Sequence, residues 1–390
     1  MHLAFLIPTL HKGGAERIAA SLSLGFPKEW KITFILFENK VEYRHRGGVV
    51  VLNTPINRGF VNDSISLLRA IFKLRNLIKE RKIDAVISFD EMANIVNIFG
   101  GKRQILTIHK SLKQADRQKG FVKRFLAKIF RRFYSNACKV VAVSEGIKKE
   151  LIEYGGIAES KVVRIYNPHN IKEIRKKGRG KPEIKIKGNY IINIGRLEDQ
   201  KGQWHLIRAF KEVVKEFPNL KLVIVGRGSL SQYLKKLSNN LGLDDNVIIL
   251  EKRFNNVFPI IKNAKFVVLS SLFEGFPNVV IESLALGKPV VSTNCFYGPA
   301  EIMEKSYDYV GETDYGFLTP RLDGVKRTNE PLTKEEIALA MAIKKMMKKL
   351  KKSSIEKKLN KKCKKRTEEF DYAKVIPKYV SLIESVFKEC

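Results

Sequence analysis

The sequence predicts an α/β protein built from two doubly wound, parallel-sheet domains, and three observations carry this. Short apolar runs alternate with helical patterns along most of the chain, which is how helices covering parallel strands read in sequence. The length of 390 residues suits about two domains, each large enough to bury a core. A polar, basic, Gly- and Pro-punctuated stretch from Ile171 to Gly188 divides the alternation and reads as a linker.

Ahead of that linker, Leu3–Thr9 reads as a strand, followed by a helix from about Ala15 to Leu24. Strands Ile32–Phe37 and Val49–Leu52 come next, then a long amphipathic helix from about Ser64 to Lys79. Ala85–Phe89, Gln104–His109 and Val140–Val143 complete the set, with a helix over Glu145–Glu153. Beyond the linker, Tyr190–Ile194, Leu220–Val225, Val247–Leu250, Phe266–Leu269 and Pro289–Ser292 read as a second set of strands. Residues 1–170 and 189–369 are the expected domains, with a cleft between them as the expected ligand site. Phe370 to Phe387 is a final apolar-periodic helix.

An apolar content of 44% indicates a globular chain rather than a disordered one. No apolar run approaches the ~18 residues of a spanning helix. Leu3 to Leu10 lacks a basic start and a small-residue cleavage site, so it reads as a strand and not a signal peptide. Cys138, Cys295, Cys363 and Cys390 are far apart with no CxxC pair, which excludes a disulfide framework or zinc ribbon and fits a reducing cytosol. The net charge of +33 points to anionic partners: nucleic acid, an anionic membrane surface or an anionic substrate. The Lys-rich run from Lys344 to Arg366 is either a solvated helical face or a binder of anionic headgroups.

The most informative segment is Glu274-Gly-Phe-Pro-Asn-Val-Val-Ile-Glu282. It follows a buried-strand pattern, Gly275 and Pro277 break the strand, and Val279 to Leu286 reads as a helix. Glu274 is therefore expected in the loop at a strand's carboxyl end and Glu282 in the helix's first turn, where ligands bind in open α/β sheets. Helix-start amides favour a phosphate, and carboxylates accept strongly from sugar hydroxyls. The plain alternatives are a dipole-complementing first-turn Glu and a solvated loop Glu.

Asn193 to Gly202 begins at another strand end, and Gly195 permits a tight turn there. Arg196 and Lys201 would then face Glu274's crevice, where a guanidinium and an ammonium can neutralise a diphosphate. Ordinary surface cations are the competing reading. Lys12-Gly13-Gly14-Ala15-Glu16-Arg17 opens the first helix with adjacent glycines that let backbone approach a ligand. It is neither GxGxxG nor a Walker loop. His109 ends a strand and is either a satisfied structural histidine or a ligand contact. Gly120 to Tyr134 is amphipathic, with a Phe-rich face and a basic one. It reads equally as a packed surface helix or as an interfacial helix whose Lys123, Arg124, Lys128, Arg131 and Arg132 meet a membrane or a lipid phosphate.

Taken together these motifs resemble the retaining GT-B glycosyltransferases of the GT4 family. The resemblance runs through Gly13 to Arg17, Val143 to Gly146, Tyr166 to Pro168, Gly195-Arg196 with Lys201-Gly202, Gly226 to Gly228, Glu274 to Glu282, and Gly298 to Ile302. It implies that Arg196 and Lys201 hold the nucleotide diphosphate, that Glu274 contacts the donor sugar's hydroxyls and that Glu282 holds the ribose. It further implies that Gly275, Phe276, Pro277, Asn278 and Val279 cradle sugar and phosphates. By the same resemblance His109 touches the donor hexose, Gly13 and Gly14 face the donor phosphates, and residues 370–390 pack back on the N-terminal domain. Two departures stand out. Glu251 and Lys252 replace a Gly-Phe pair near the nucleobase, and Ala300 stands where a basic residue is common.

The implied activity is transfer of a hexose or N-acetylhexosamine from a nucleotide-sugar, expected to be UDP-linked, to a glycan or polyprenyl-linked acceptor. No Asp-x-Asp motif is present, so neither metal nor cofactor is expected beyond the nucleotide-sugar substrate. The expected location is cytoplasmic, peripheral on an anionic membrane surface, with no nucleic-acid partner. A sugar-nucleotide epimerase of the same fold and a nucleic-acid-binding protein are the competing classes.

Overall fold

The run His2–Ile7 is buried along its whole length and forms β1, inside a seven-stranded sheet. A strand covered on both faces needs near-continuous apolar residues rather than alternation. It stops at Ile7 rather than Thr9 because Pro8 has no N–H to donate to a ladder. The computed structural model describes residues 1–11, 13–55, 60–117, 129 and 131–389. It divides into two units, residues 1–169 with 370–390 and residues 170–369.

In the first unit, β2 (Lys31–Leu36), β3 (Gly48–Val51), β4 (Ala85–Phe89), β5 (Gln104–Ile108), β6 (Lys139–Ala142) and β7 (Val162–Arg164) join β1 in the order β3-β2-β1-β4-β5-β6-β7. Every pairing is parallel. Among the described residues up to 169, the α-helices are α1 (Gly14–Gly25), α2 (Phe60–Glu80), α3 (Glu91–Gly100), α4 (Leu112–Arg117) and α5 (Glu145–Glu153). One core contains Ala70 and Leu74 of α2 beside Ala4, Leu6 and Val86 of the sheet.

The second unit opens with α6 (Ile171–Lys177), so the segment read as a linker begins as a helix. Asn170 caps it by accepting from the Glu173 amide, and Ile171 and Ile174 are buried. The elements that follow are β8 (Tyr190–Ile194), α7 (Gln203–Val214), β9 (Lys221–Val225), α8 (Ser231–Asn240), β10 (Val247–Leu250), α9 (Phe258–Asn263), β11 (Val267–Leu269), β12 (Phe273–Glu274), α10 (Asn278–Ala285), β13 (Val290–Thr293), β14 (Phe296–Tyr297), α11 (Gly298–Ile302), β15 (Gly311–Thr313), β16 (Gly316–Thr319), α12 (Lys334–Lys349) and α13 (Ser353–Arg366). The sheet order is β10-β9-β8-β11-β13-β16-β15, with only β15 antiparallel to its neighbour. β12 and β14 make a separate two-stranded pair. The chain returns to the first unit as α14 (Tyr372–Glu389), which buries Val375, Tyr379, Ile383 and Val386 in a core shared with β1 and α1.

A buried ionic cluster ties α12 to α7. Arg208 donates to both carboxylate oxygens of Glu336, at 2.9 and 3.2 Å, and His205 Nδ1 lies 2.7 Å from the same carboxylate. The remaining Arg208 donors reach the carbonyls of Thr328, Glu330 and Pro331, fixing the loop before α12. Thr333 and Glu336 also complete a capping box. Glu336→Ala would leave Arg208 buried without a counter-charge, so unfolding of the second unit should weaken by about 3–5 kcal/mol. Trp204, one of two tryptophans and buried in α7, reports that transition by fluorescence in a urea titration of Trp30→Phe protein.

Candidate active site

At the carboxyl end of β8 the chain turns through Gly195 and Arg196 into a short 3₁₀ turn, Asp199–Lys201, before α7. The Lys201 stem lies across Gly195, where an added Cβ would meet Lys201 Cε at 3.2 Å. Its ammonium reaches Glu274 Oε1 at 2.5 Å, although 73 residues separate the two. Ser271 Oγ donates to the same oxygen at 2.7 Å. Gln200 ties the two loops together: its side chain donates to the Phe273 carbonyl, and its own carbonyl accepts from the Leu272 amide. Arg196 is exposed, and its guanidinium donates to Gln200 at 3.1 Å. Gly202 has φ +57° and brings its backbone so close to Ser270 that a Cβ would sit 2.5 Å from that carbonyl.

Glu274 lies not in an open loop but in β12, paired with Tyr297 of β14. Tyr297 has φ 84° and ψ −66°, a backbone state that costs about 1–3 kcal/mol for a residue with a side chain. Gly298 then packs directly on Phe276 and Pro277, leaving no room for a Cβ. Helix α10 starts at Asn278, so Glu282 is one turn further in than the first turn, and it is buried, as is Glu274. Cys295 is buried in the same region, and both burial and the nearby Glu274 push its thiol pKa up, which keeps it protonated.

The first unit assembles a second constellation at its own strand ends. Thr107 Oγ1 donates to the Ser88 carbonyl at 2.7 Å, which commits its proton. The 3.0 Å contact from His109 Nε2 to that oxygen must then carry the histidine's proton, leaving Nδ1 as an acceptor. Loss of solvent around the ring, followed by the neighbouring Lys110, lowers the His109 pKa from 6.5 to about 4. The ring stacks near Phe89, at a centroid distance of 6.1 Å. A cavity of about 50 Å³ is lined by Asp90, Asn94, Thr107, His109, Lys110 and Tyr134 among others. Asp90, with φ 149° and ψ 158°, occupies backbone space that favours glycine. It caps α3 through the Met92 amide, and its other oxygen is 3.9 Å from Lys110 Nζ. Gly13 and Gly14 stand at the start of α1, where Gly13 is the N-cap and Tyr43 donates to its carbonyl.

Lys201 and Glu274 thus come together, with Arg196, Gly195, Gly275, Phe276, Pro277, Asn278 and Val279 on the same loops and helix start. Lys123, Arg124 and Lys128 lie outside the described residues. Arg131 is a correction to the expected membrane contact. It is 4% exposed, and it donates to Asp116 at 2.6 Å and Glu91 at 2.8 Å. A buried guanidinium is retained where carboxylates neutralise it, so Arg131 serves the fold and not a lipid. Arg132 is exposed. Sequence reasoning missed Gln200, Ser271, Asp90 and Tyr297. Gln200 lay inside a motif already singled out, but backbone strain has no sequence signal in a non-glycine residue.

Residues 174–320 match the family described as glycosyl transferases group 1, and residues 12–173 match the one described as glycosyltransferase family 4. An uncharacterised glycosyltransferase of Methanocaldococcus jannaschii is 31% identical over 82% of this chain and 83% of its own. The chain is a group 1 glycosyltransferase. This glycosyltransferase is also similar, at 28% identity over 99% of each chain, to a Campylobacter jejuni alpha-1,4-N-acetyl-D-galactosaminyltransferase whose name carries a PP-undecaprenol-linked glycan. The solved structure of Anabaena HepE in complex with UDP and glucose superposes with a TM-score of 0.74 at 18% identity, covering 98% of this chain and 99% of that one. At that identity the likeness establishes the fold, which is GT-B with two Rossmann-like units.

A neutral His109 leads to a pH prediction with a definite sign. Its folded pKa lies below the unfolded 6.5, so the associated stability is complete above about 6.5 and is lost as pH falls towards about 4. In a ¹H–¹⁵N NMR titration the His109 ring should keep its neutral shifts from about pH 8 to about pH 5. An inflection near 6.5 would contradict the assignment.

Proposed function

We propose that this glycosyltransferase is a retaining, metal-independent enzyme that moves a hexose or N-acetylhexosamine from a UDP-sugar to a polyprenyl-linked glycan. The observation that carries this is the Lys201–Glu274 pair at 2.5 Å, formed where two strand ends meet the start of α10. A cation, a carboxylate and the positive end of a helix within one loop cluster suit a ligand with both a diphosphate and sugar hydroxyls. In this reading Glu274 accepts from the donor sugar's hydroxyls and Glu282 from the ribose. As the anomeric C–O bond breaks, its electron pair passes to the diphosphate oxygen. Arg196, Lys201 and the α10 start oppose the charge that builds there. A leaving phosphate oxygen takes the proton of the attacking acceptor hydroxyl on the same face of the sugar. His109, neutral and with Nδ1 free to accept, is assigned a contact to a hydroxyl of the donor hexose, and Gly13 and Gly14 a contact to its phosphates.

UDP as the donor nucleotide is supported by the HepE complex, and a lipid-linked acceptor by the name of the Campylobacter relative. The strong basic excess suits a cytoplasmic enzyme working peripherally at an anionic membrane surface. Among the described residues no helix is long and apolar enough to cross a membrane.

Lys201→Met and Glu274→Gln should each lower turnover by about 10²–10³-fold, measured on the folded fraction so that any loss of stability is counted separately. Near wild-type turnover in Lys201→Met would remove the diphosphate assignment. UDP at about 100 times its Kd should add about 2.7 kcal/mol to the stability of the folded state, raising the thermal midpoint. GDP and ADP at equal concentration should shift it less.

A further inference from the structure

Helix α2 is apolar on two opposite sides, and the fold uses only one. Ala70 and Leu74 point into the core of the first unit and are fully buried. On the other side Ile65, Leu68 and Phe72 are 44%, 58% and 61% exposed. At about 100° per residue these three fall within about 60° of arc, centred opposite Ala70 and Leu74. Burial of the inner face accounts for the helix's place in the fold, so the outer stripe is not required by the packing of this unit.

The stripe is set among cations. From Ile65 to Lys82 the chain carries Arg69, Lys73, Arg75, Lys79, Arg81 and Lys82 against a single acid, Glu80. Arg69 and Arg75 fall on either flank of the stripe. Arg75 is held in place by two hydrogen bonds to the Phe99 carbonyl, at 3.1 and 2.6 Å. Phe99 in turn packs edge-on against Phe133 at 5.1 Å, and Phe133 is 36% exposed beside the exposed Arg132. Contacts among Arg75, Phe99 and Phe133 thus link α2 to the turn at 133–136.

We propose that the outer face of α2 is a membrane-docking surface, with Ile65, Leu68 and Phe72 entering the acyl boundary of an anionic bilayer while Arg69, Arg75 and Lys79 meet its headgroups. Apolar side chains ringed by Lys and Arg are what an anionic interface binds. A second copy of this chain is a poor occupant, because each copy carries a net charge of +33 and three side chains fall well short of the ~800 Å² per partner of a stable interface. The docking face rests on the lipid-linked reading only for its purpose, and the two stand or fall on different measurements.

The test is flotation of the full chain with two sets of vesicles, phosphatidylcholine alone and phosphatidylcholine with about 30 mol% phosphatidylglycerol. Wild-type protein should float with the anionic vesicles at low salt and less so as salt screens the headgroups. Leu68→Glu/Phe72→Glu should lower the bound fraction at least about tenfold, and the milder Leu68→Ser/Phe72→Ser should lower it in the same direction. Both variants should keep the wild-type circular dichroism spectrum and the UDP-induced rise in midpoint. Three results would overturn the docking face: wild-type protein that stays off anionic vesicles, variants that float like wild type, or a wild-type dimer that the substitutions dissociate without changing flotation. Loss of the UDP response in wild-type protein would instead strike the transferase chemistry and leave the flotation result to be judged alone.

Discussion

At the carboxyl end of the second sheet, backbone packs on backbone, and the positions of Lys201 and Glu274 follow from it. Gly202 presses on the Ser270 carbonyl, and Gly298 presses on Phe276 and Pro277, in both cases where no side chain fits. Beside these two contacts lie the two residues to which the proposed chemistry is assigned. Lys201 directly precedes the first contact, and Glu274 sits between Ser271 and the second. Their separation is therefore set by covalent geometry and steric exclusion more than by the ion pair itself. The hydrogen bonds from Gln200 and Ser271 refine a spacing that the glycines already impose. Tyr297 adds to this, because a strained residue persists only where its surroundings over-determine it.

Charge is handled differently in the two kinds of place where it accumulates. Where an arginine is buried, as at Arg131 and Arg208, it has carboxylate partners. Those cations are structural and contribute little to the field outside. Exposed lysines on α12 and α13 pair only in part, for example Lys348 with Glu216 at 2.8 Å. Such exposed pairs are worth at most about 1 kcal/mol and are screened by salt. The outward field of a chain with a net +33 therefore comes from solvated groups, which can attract an anionic partner over about one Debye length.

Much of the fold was legible because buried parallel strands are locally encoded. Eleven apolar runs read as strands became strands in the two sheets, with ends shifted by no more than two residues. What escaped was encoded elsewhere. β12 and β14 are two residues each, too short to show a period, and exist through their mutual pairing. β7 is three residues. The candidate site was legible only as far as strand ends mark it: Lys201 and Glu274 were singled out because each follows a strand, not because their contact has a pattern. Arg131 was misread because its partners, Asp116 and Glu91, lie 15 and 40 residues away. The α2 outer stripe was hidden for the opposite reason, since amphipathicity reports one apolar face and α2 has two.

The first unit is discontinuous, closed by α14, whereas residues 170–369 form an unbroken insertion. During synthesis the inserted unit can reach its native contacts while the earlier one waits. At about 5–20 residues per second, some 200 residues separate the appearance of His169 from that of α14, a delay of about 10–40 s. For that interval the groove that receives Val375, Tyr379 and Ile383 beside Phe26 and Ala19 lies uncovered. The nascent chain thus exposes the apolar residues of that groove early and covers them late. Shielding transiently exposed apolar surface of this kind is the task that chaperones perform during synthesis.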